Sequence, residues 1–154
     1  MPQAIRYSFV QRFKVSDRKA YEWCTDYAPS DMALMREEIA TREVRRISSD
    51  SVILLDTFVI GGKPVVKQKL VCLYPDRLTW TSTHLTGPNK YSQFLYEITS
   101  KTDEHSCLTF TALSLDYNVK SNEEAKELAK KLNRMDSETW KLLAKRMEED
   151  FQRT

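Results

Sequence analysis

The fold is decided by residues 121–151, which read SNEEAKELAKKLNRMDSETWKLLAKRMEEDF. Ser121 followed three residues later by Glu124 is a capping-box pattern, and it predicts that a helix begins there. No proline or glycine occurs after Pro88, so nothing in the sequence forces this helix to break. The weak point is residues 133–137, where Asp136 or Ser137 could cap a second helix and produce a kink.

One face of this predicted helix is apolar along its whole length. Its members recur at spacings of three and four and are Leu128, Leu132, Met135, Thr139, Leu143, Met147 and Phe151. Burying each large apolar side chain contributes about 1.5–3 kcal/mol, whereas each exposed i,i+4 ion pair on the opposite face contributes only about 0.2–0.5 kcal/mol. The helix therefore needs a broad apolar surface to pack against. Acidic residues at 148–150 oppose the helix dipole, so we expect the last turn to fray.

Composition is that of an ordinary globular protein. The 154 residues fit a single domain, residues 1–154, with a sizeable core. With 24 basic and 22 acidic residues the net charge is +2, which provides no global field that would attract nucleic acid or anionic lipid. No apolar run approaches the ~18 residues of a membrane span, so we expect no integral membrane association.

The N-terminal segment and the cysteines bear on location. Residues 1–14 alternate polar and apolar side chains and lack the continuous apolar region of a signal peptide. The three cysteines, Cys24, Cys72 and Cys107, are an odd number and lie far apart. We therefore expect reduced thiols in a cytoplasmic protein. Because no CxxC or Cys/His cluster occurs, we expect no metal site.

Period-two patterns and turn residues predict seven strands ahead of the C-terminal helix. The predicted strands cover residues 5–14, 38–47, 52–60, 65–74, 78–85, 91–98 and 107–117. Gly61-Gly62 is a strong signal for a two-residue hairpin. Between the first two strands, Ser16-Asp17 caps a short helix that Pro29 stops, and Ser30-Asp31 caps a second short helix that reaches Met35.

This order of elements predicts an α+β fold. Successive strands joined by short turns pair as antiparallel neighbours, and a seven-stranded twisted sheet curls around whatever covers its concave face. The C-terminal helix is long and apolar enough to take that position. We therefore expect a seven-stranded curved antiparallel sheet wrapped around a long C-terminal helix, with two short helices between strands 1 and 2.

Three local patterns add to the order of elements. They are the aromatic-rich stretch 20–27 (AYEWCTDY), residues 107–111 (CLTFT), and the closing helix with residues 140–144 (WKLLA) and 147–150 (MEED). On these patterns the chain resembles the START-like (SRPBCC) superfamily, which includes polyketide cyclases and birch-pollen-allergen relatives, over nearly its whole length. Two features depart from the superfamily: residues 103–106 (DEHS) stand where members have a Gly-Gly-Thr turn, and the last helix begins earlier than in minimal members.

The resemblance implies the helix-grip fold and a cavity between sheet and helix that binds an apolar or amphipathic molecule. It carries over no site residues, because the superfamily has no universal catalytic motif. Alternation along the strands predicts which side chains face the helix, and aromatic side chains with polar tips could line a cavity there. The alternative is that the same side chains pack into a solid core. The predicted ligand-binding residues are Tyr7, Phe9, Phe58, Trp80, Ser82, His84, Phe94, Tyr96, Phe110, Ser114, Leu132, Met135 and Thr139, with Ala112 and Leu143 on the same faces.

Two ionisable residues on these strands could do chemistry. His84 shares a strand face with Trp80 and Ser82 and could act as a general base, although a satisfied or exposed histidine at a strand end is the simpler interpretation. Asp56 interrupts an apolar strand, and a buried carboxylate must be paired or have a raised pKa. The simpler interpretation is that Asp56 points outward or meets a lysine or arginine on a neighbouring strand.

A local run of charge spans residues 36–46, with arginines at 36, 42, 45 and 46 and glutamates at 37, 38 and 43. Nucleic-acid binding needs an unopposed basic stripe with stacking aromatics. The mixed signs instead favour a solvated strand and helix end. A weak docking surface for a membrane or an acidic partner stays open as an alternative.

The function that these observations favour is the binding, as a carrier or sensor, of a hydrophobic or amphipathic small molecule. No catalytic motif is present, so we expect a binding protein without a cofactor rather than an enzyme. One alternative is a polyketide cyclase- or dehydratase-like enzyme that uses His84 and Asp56 as its acid and base. Another is a protein-interaction module without a ligand, for which a homodimer through segment 36–46 and the charged helix face is one arrangement. We expect no nucleic-acid partner.

Overall fold

The computed structural model describes residues 2–27 and 39–153. Its strands are β1 (Gln3–Phe13), β2 (Ile39–Ser48), β3 (Ser51–Ile60), β4 (Lys63–Tyr74), β5 (Thr79–His84), β6 (Gln93–Thr102) and β7 (His105–Asp116). Its helices are α1 (Asp17–Thr25) and α2 (Asn122–Gln152), and a 3₁₀ turn spans Pro75–Arg77. The second short helix predicted at 30–35, together with Pro29, lies outside the described residues.

The strands form one antiparallel sheet in the order β1-β7-β6-β5-β4-β3-β2. From β2 to β7 this is a meander of sequential neighbours. The chain's first strand then pairs with its last one, with Gln3 opposite Asp116 and Phe13 opposite Ser106. The predicted seven-stranded antiparallel sheet and the long C-terminal helix are confirmed. The β1–β7 pairing brings the first strand next to the segment that leads into α2, and α2 packs along β1.

The β3–β4 hairpin turns at Gly61 and Gly62, as the sequence predicts. Their φ angles are 57° and 77°, and Ile60 pairs with Lys63 across the turn. Both central residues of this tight turn lie in the left-handed region, which a residue with a Cβ adopts only with strain. The two glycines therefore fix the register of β3 against β4.

The capping box at the start of α2 is present. Ser121 Oγ accepts a hydrogen bond from the Glu124 backbone N–H at 3.1 Å, and Glu124 Oε2 accepts one from the Lys120 backbone N–H at 2.9 Å. The glutamate thus reaches one residue further back than in the standard motif. α2 then runs unbroken to Gln152 through residues 133–137, where Ser137 Oγ bonds Asn133 Oδ1 of the preceding turn at 3.1 Å.

The second half of α2 is the part that closes the core. Leu143 and Met147 are buried there against α1, whose Ala20, Tyr21 and Trp23 face the same cluster. Each such side chain contributes about 1.5–3 kcal/mol by its burial. Met147 is thus fully buried at this end, whereas Leu132 and Met135 in the first half of α2 are only half-buried.

The end of α2 differs from the expected fraying, since the helix extends to Gln152. Asp150, which opposes the helix dipole, accepts a hydrogen bond from Trp23 Nε1 of α1 at 2.9 Å and another from Arg146 Nε at 3.2 Å. These two bonds compensate the unfavourable position of the carboxylate. The sequence pattern could not predict the contact between Trp23 and Asp150, because α1 and the end of α2 are far apart in the chain.

Candidate functional site

A cavity of about 360 Å³ lies between the concave face of the sheet and the middle of α2. Its wall draws on strands β1 to β7, on α1 and on α2. The lining residues are Tyr7, Trp23, Cys24, Tyr27, Arg42, Leu54, Phe58, Lys67, Lys69, Val71, Trp80, Ser82, His84, Asn89, Phe94, Tyr96, Phe110, Ser114, Leu132, Met135, Asp136, Thr139, Trp140 and Leu143. The sheet and helix therefore leave a partly open space between them rather than packing solidly along their whole contact.

The residues predicted from strand alternation lie in this wall, with the exceptions of Phe9 and of the buried Ala112. Phe9 is on the expected face of β1, but its ring stacks on Phe110 with centroids 4.8 Å apart. Next to it, Asn133 of α2 donates a hydrogen bond to the Ser8 carbonyl at 3.4 Å. At Phe9 the helix and strand are thus in direct contact, so the side chain falls outside the cavity.

One wall is a shelf of aromatic rings, defined by Trp80, Phe94, Tyr96 and Phe110. The strand register places Trp80 opposite Tyr96 and Tyr96 opposite Phe110. Trp80 and Tyr96 are stacked at 4.7 Å with planes 3° apart, and Tyr96 meets Phe110 edge-on at 5.2 Å. Such ring pairs contribute about 0.5–1.5 kcal/mol each beyond their buried area. The aromatic shelf is therefore a rigid, flat, mostly apolar surface.

A buried charge cluster lies on the other part of the sheet. Asp56 on β3 is 0% exposed and accepts two hydrogen bonds from Arg42 on β2, Nε–Oδ1 at 2.7 Å and Nη2–Oδ2 at 2.9 Å. Lys69 Nζ on β4 also bonds Oδ2, at 3.2 Å. Asp56 therefore meets both an arginine and a lysine of the neighbouring strands. The interpretation of Arg42 as part of a solvated run was wrong, since its side chain is only 6% exposed, whereas Arg45 at 62% is solvated.

The pKa values in this cluster follow from burial and from the neighbouring charges. Burial by itself would raise the pKa of Asp56, but the hydrogen bonds and charges of Arg42 and Lys69 outweigh it and hold the pKa below its ordinary value. Burial lowers the pKa of Lys69, and the charge of Arg42 adds to this effect while Asp56 opposes it. Asp56 is therefore a permanently ionised partner and does not exchange protons near neutral pH.

His84 lies at the end of β5 in the cavity wall, opposite Lys69 on β4. Its ring is 4.9 Å from that of Phe94. Burial and the charge of Lys69 lower the pKa of His84 to about 4, against a weaker opposing effect of Asn89, so the imidazole is neutral near pH 7. Among the described residues, its buried Nδ1 has no hydrogen-bond partner. His84 is thus neither exposed nor fully satisfied, contrary to the simpler interpretation of the sequence.

A second carboxyl faces the cavity from the helix. Asp136 on α2 accepts a hydrogen bond from the Tyr7 hydroxyl of β1 at 2.5 Å. Burial raises the pKa of Asp136, although the bond from Tyr7 and the charge of Lys69 partly offset this. Burial likewise raises the pKa of Tyr7 above its ordinary value, and the charge of Asp136 adds to the rise. The pair places a proton donor and a carboxyl on the wall opposite the charge cluster.

Sequence reasoning missed several lining residues, and for some of them a signal was available. Arg42 alternates with Val44 on β2, so period two already placed both on one face. Asp136 follows Leu132 by four residues and therefore shares its helix face, but the sequence favoured a capping role for it. Asn89 and Tyr27 lie in loops, where periodicity gives no information. Tyr27 has a φ of 53°, and its buried hydroxyl has no hydrogen-bond partner in residues 2–27 and 39–153.

Two further observations concern the described part of the chain as a whole. Within it, no group of three or more histidine, cysteine, aspartate or glutamate side chains could hold a metal ion. Within it, too, neither helix is long and apolar enough to cross a membrane.

Comparison with known proteins shows which solved structures share this fold. No protein-family model and no curated protein sequence matches the chain. The Zhui aromatase/cyclase from Streptomyces sp. R1128 is similar with a TM-score of 0.76 at 11% identity, over 95% of this chain and 94% of that one. A START superfamily protein from Mycobacterium smegmatis gives 0.72 at 14% identity, over 96% and 99%. Norcoclaurine synthase from Thalictrum flavum, solved with dopamine and hydroxybenzaldehyde, gives 0.63 at 12% identity, over 94% and 88%. The chain therefore has the START-like, helix-grip fold that the sequence predicted.

Proposed function

We propose that the protein binds a hydrophobic or amphipathic small molecule between the sheet and α2 and acts as its carrier or sensor. The observation that carries the proposal is the partly open space of about 360 Å³, which lies within the size range of small-molecule sites. Its wall combines the aromatic shelf and apolar helix residues with polar and charged side chains, and its surface is mainly apolar, as is typical of such sites.

Binding would work mainly by removing apolar surface from water. A ligand lying on the aromatic shelf would contact Leu132 and Met135 of α2 on its other side. Each Å² of apolar surface buried contributes about 25 cal/mol. Hydroxyl groups in the wall, such as Ser82 and Thr139, would then fix the ligand's orientation. Similar folds support this size class, since the norcoclaurine synthase structure contains dopamine and hydroxybenzaldehyde, both small aromatic molecules.

Native mass spectrometry of the protein purified from its own source tests the proposal. We expect a co-purifying mass that is absent from the denatured protein. The Thr139→Trp variant should lose it, because the indole would fill the cavity from the middle of α2. The matched control is Lys141→Trp, which places the same side chain on the exposed face of the same helix and should keep the ligand. No bound mass in the wild type, and no small-molecule binding in a screen, would overturn the proposal.

A second candidate is an acid–base enzyme on the same fold. It is favoured by one observation, namely that neutral His84 and the Tyr7–Asp136 pair line the same cavity. Asp56 no longer qualifies as the acid, because both its oxygens are bonded and its pKa is lowered. Incubation of the recovered ligand with the protein separates the candidates. An unchanged ligand supports a carrier, whereas a conversion that His84→Gln abolishes supports an enzyme.

The remaining expectations concern partners and location. A protein-interaction module without a ligand would have been favoured by a solid core, and the cavity removes that support. The cytoplasm is proposed as the location because Cys24, Cys72 and Cys107 are an odd number and lie far apart in the sequence.

A further inference from the structure

We infer that the ligand of this cavity carries an anionic group, such as a carboxylate, and that Arg42 and Lys69 bind that group. The inference rests on the proposed function and narrows it from any apolar molecule to an amphipathic acid. It is carried by the positions of the charged side chains in the wall and by two polar atoms beside them.

Two basic side chains of the wall share one carboxylate. Arg42 and Lys69 have side chains only 6% and 16% exposed, and they share one carboxylate, that of Asp56. The carboxyl among the described lining residues, Asp136, is engaged by Tyr7 on the helix side. Among the described residues, the sheet side of the cavity therefore has two largely buried basic side chains for one carboxylate.

Asp56 uses only some of the hydrogen-bond donors of Arg42. A guanidinium has five N–H donors, and Asp56 takes two of those of Arg42. Asp56 itself does not line the cavity, whereas Arg42 and Lys69 do. The Asp56 carboxylate therefore bonds Arg42 and Lys69 on the side away from the cavity, so that both basic side chains line the cavity. The Arg42 guanidinium also lies 5.6 Å from the centre of the Tyr27 ring, which limits the directions it can take.

Two buried polar atoms lie beside these cations. His84 is opposite Lys69 across β4 and β5, and its buried Nδ1 has no partner among the described residues. The buried Tyr27 hydroxyl, beside Arg42, likewise has none in that part of the chain. A buried polar atom without a partner is unfavourable. The Tyr27 hydroxyl would donate to an oxygen atom of a ligand head group at this end, and His84 would do so in the tautomer that carries its proton on Nδ1, while the apolar body of the ligand lies on the aromatic shelf.

A bound anion and the charged form of Lys69 would stabilise each other. Burial and the charge of Arg42 lower the pKa of Lys69, which means that the folded protein resists the ammonium form. A bound anion offsets that resistance. By linkage, whatever favours the charged lysine also favours binding of the anion.

A matched pair of fluorescent probes tests the inference. 1-Anilinonaphthalene-8-sulfonate carries a sulfonate, and N-phenyl-1-naphthylamine has the same rings without it. We expect the sulfonate probe to bind the wild type at least about tenfold more tightly, since hydrogen bonds to charged groups are the strong ones. Lys69→Met leaves the Arg42–Asp56 pair in place and should weaken the sulfonate probe about tenfold, with less than about twofold effect on the neutral probe. Thr139→Trp should exclude both probes.

Two further variants serve as controls for this experiment. Lys69→Arg keeps a cation and should retain the preference for the sulfonate. Lys101→Met removes an exposed lysine on β6, away from the cavity, and should change neither affinity. If the neutral probe binds as tightly as the sulfonate and Lys69→Met has no selective effect, the inference fails while the proposed function stands. If neither probe binds, the proposed function fails and the inference fails with it.

Discussion

The Arg42 guanidinium on β2 and the Asp56 carboxylate on β3 form a bidentate ion pair inside the protein, with Nε–Oδ1 and Nη2–Oδ2 distances of 2.7 and 2.9 Å. The two side chains are 6% and 0% exposed. Removing two charges from water is costly, so such a pair adds little net stability over an apolar one. Removing one partner of the pair, in contrast, strongly destabilises the fold, because the remaining charge stays buried without its counter-charge.

We therefore expect Asp56→Asn to lower the free energy of unfolding by about 3–5 kcal/mol, because it leaves Arg42 and Lys69 buried without a counter-charge. Urea unfolding at pH 7 measures the change. Glu43→Gln is the matched control, since Glu43 pairs with Arg45 at 2.9 Å but both side chains are more than half exposed. Its effect should stay below about 0.5 kcal/mol. Similar losses in the two variants would contradict the assignment of a buried cluster.

The pH dependence of stability should report on His84, whose pKa is lowered from 6.5 to about 4. As the pH falls, the unfolded chain takes up a proton near pH 6.5 while the folded protein stays neutral at this site until about pH 4. The free energy of unfolding therefore decreases across this window, by up to about 3 kcal/mol, and is unaffected by His84 above it.

His84→Gln should flatten this dependence, as measured by urea unfolding at several pH values between 7 and 4. His105→Gln, at the exposed first residue of β7, should keep the slope of the wild type. A wild-type slope in His84→Gln would mean that the imidazole is not held neutral in the wall.

How far the sequence predicts this structure depends on the range of each signal. Ser121 with Glu124 and the pair Gly61-Gly62 act within a few residues, so the start of α2 and the β3–β4 turn were predicted correctly. Alternation then placed the aromatic shelf on the helix side. Asp136 was missed as a wall residue because its partner Tyr7 is 129 positions away. Arg42 was missed because the mixed charges of the residues around it indicate a segment exposed to solvent. Only the pairing of β2 with β3 brings Asp56 next to Arg42.

A counter-intuitive change is expected at Asp136. Burial raises the pKa of its carboxyl. Ionisation of Asp136 at neutral pH therefore lowers the free energy of unfolding. This penalty decreases as the pH falls through the raised pKa, because the carboxyl of the folded protein then becomes protonated. Asp136→Asn removes the ionisation and keeps an oxygen that can accept the Tyr7 hydroxyl. We expect a higher free energy of unfolding than the wild type at pH 7 and a smaller gain at pH 4. Asp103→Asn, in the exposed β6–β7 turn, should have no effect, and a destabilised Asp136→Asn would contradict the account.

The end of α2 should depend on one side chain. Asp150 links it to Trp23 of α1 at 2.9 Å, and a bond of this kind to a charged group contributes about 1.5–3 kcal/mol. We expect Asp150→Ala to accelerate hydrogen exchange of the backbone amides at 148–152 at least about tenfold. The neighbouring Glu149→Ala should leave these rates near those of the wild type. Equal protection in both variants would show that Trp23 does not hold the helix end.

The central claim is that a small molecule lies between the sheet and α2, and intermolecular nuclear Overhauser effects test it most directly. With N-phenyl-1-naphthylamine bound to methyl-labelled protein, the account predicts contacts from the probe to the methyl groups of Leu132, Met135 and Leu143. The methyl groups of Val10 and Val66, which are 62% and 50% exposed on the surface, should show none. Contacts confined to those surface valines, or no contacts to the three α2 residues, would contradict the account.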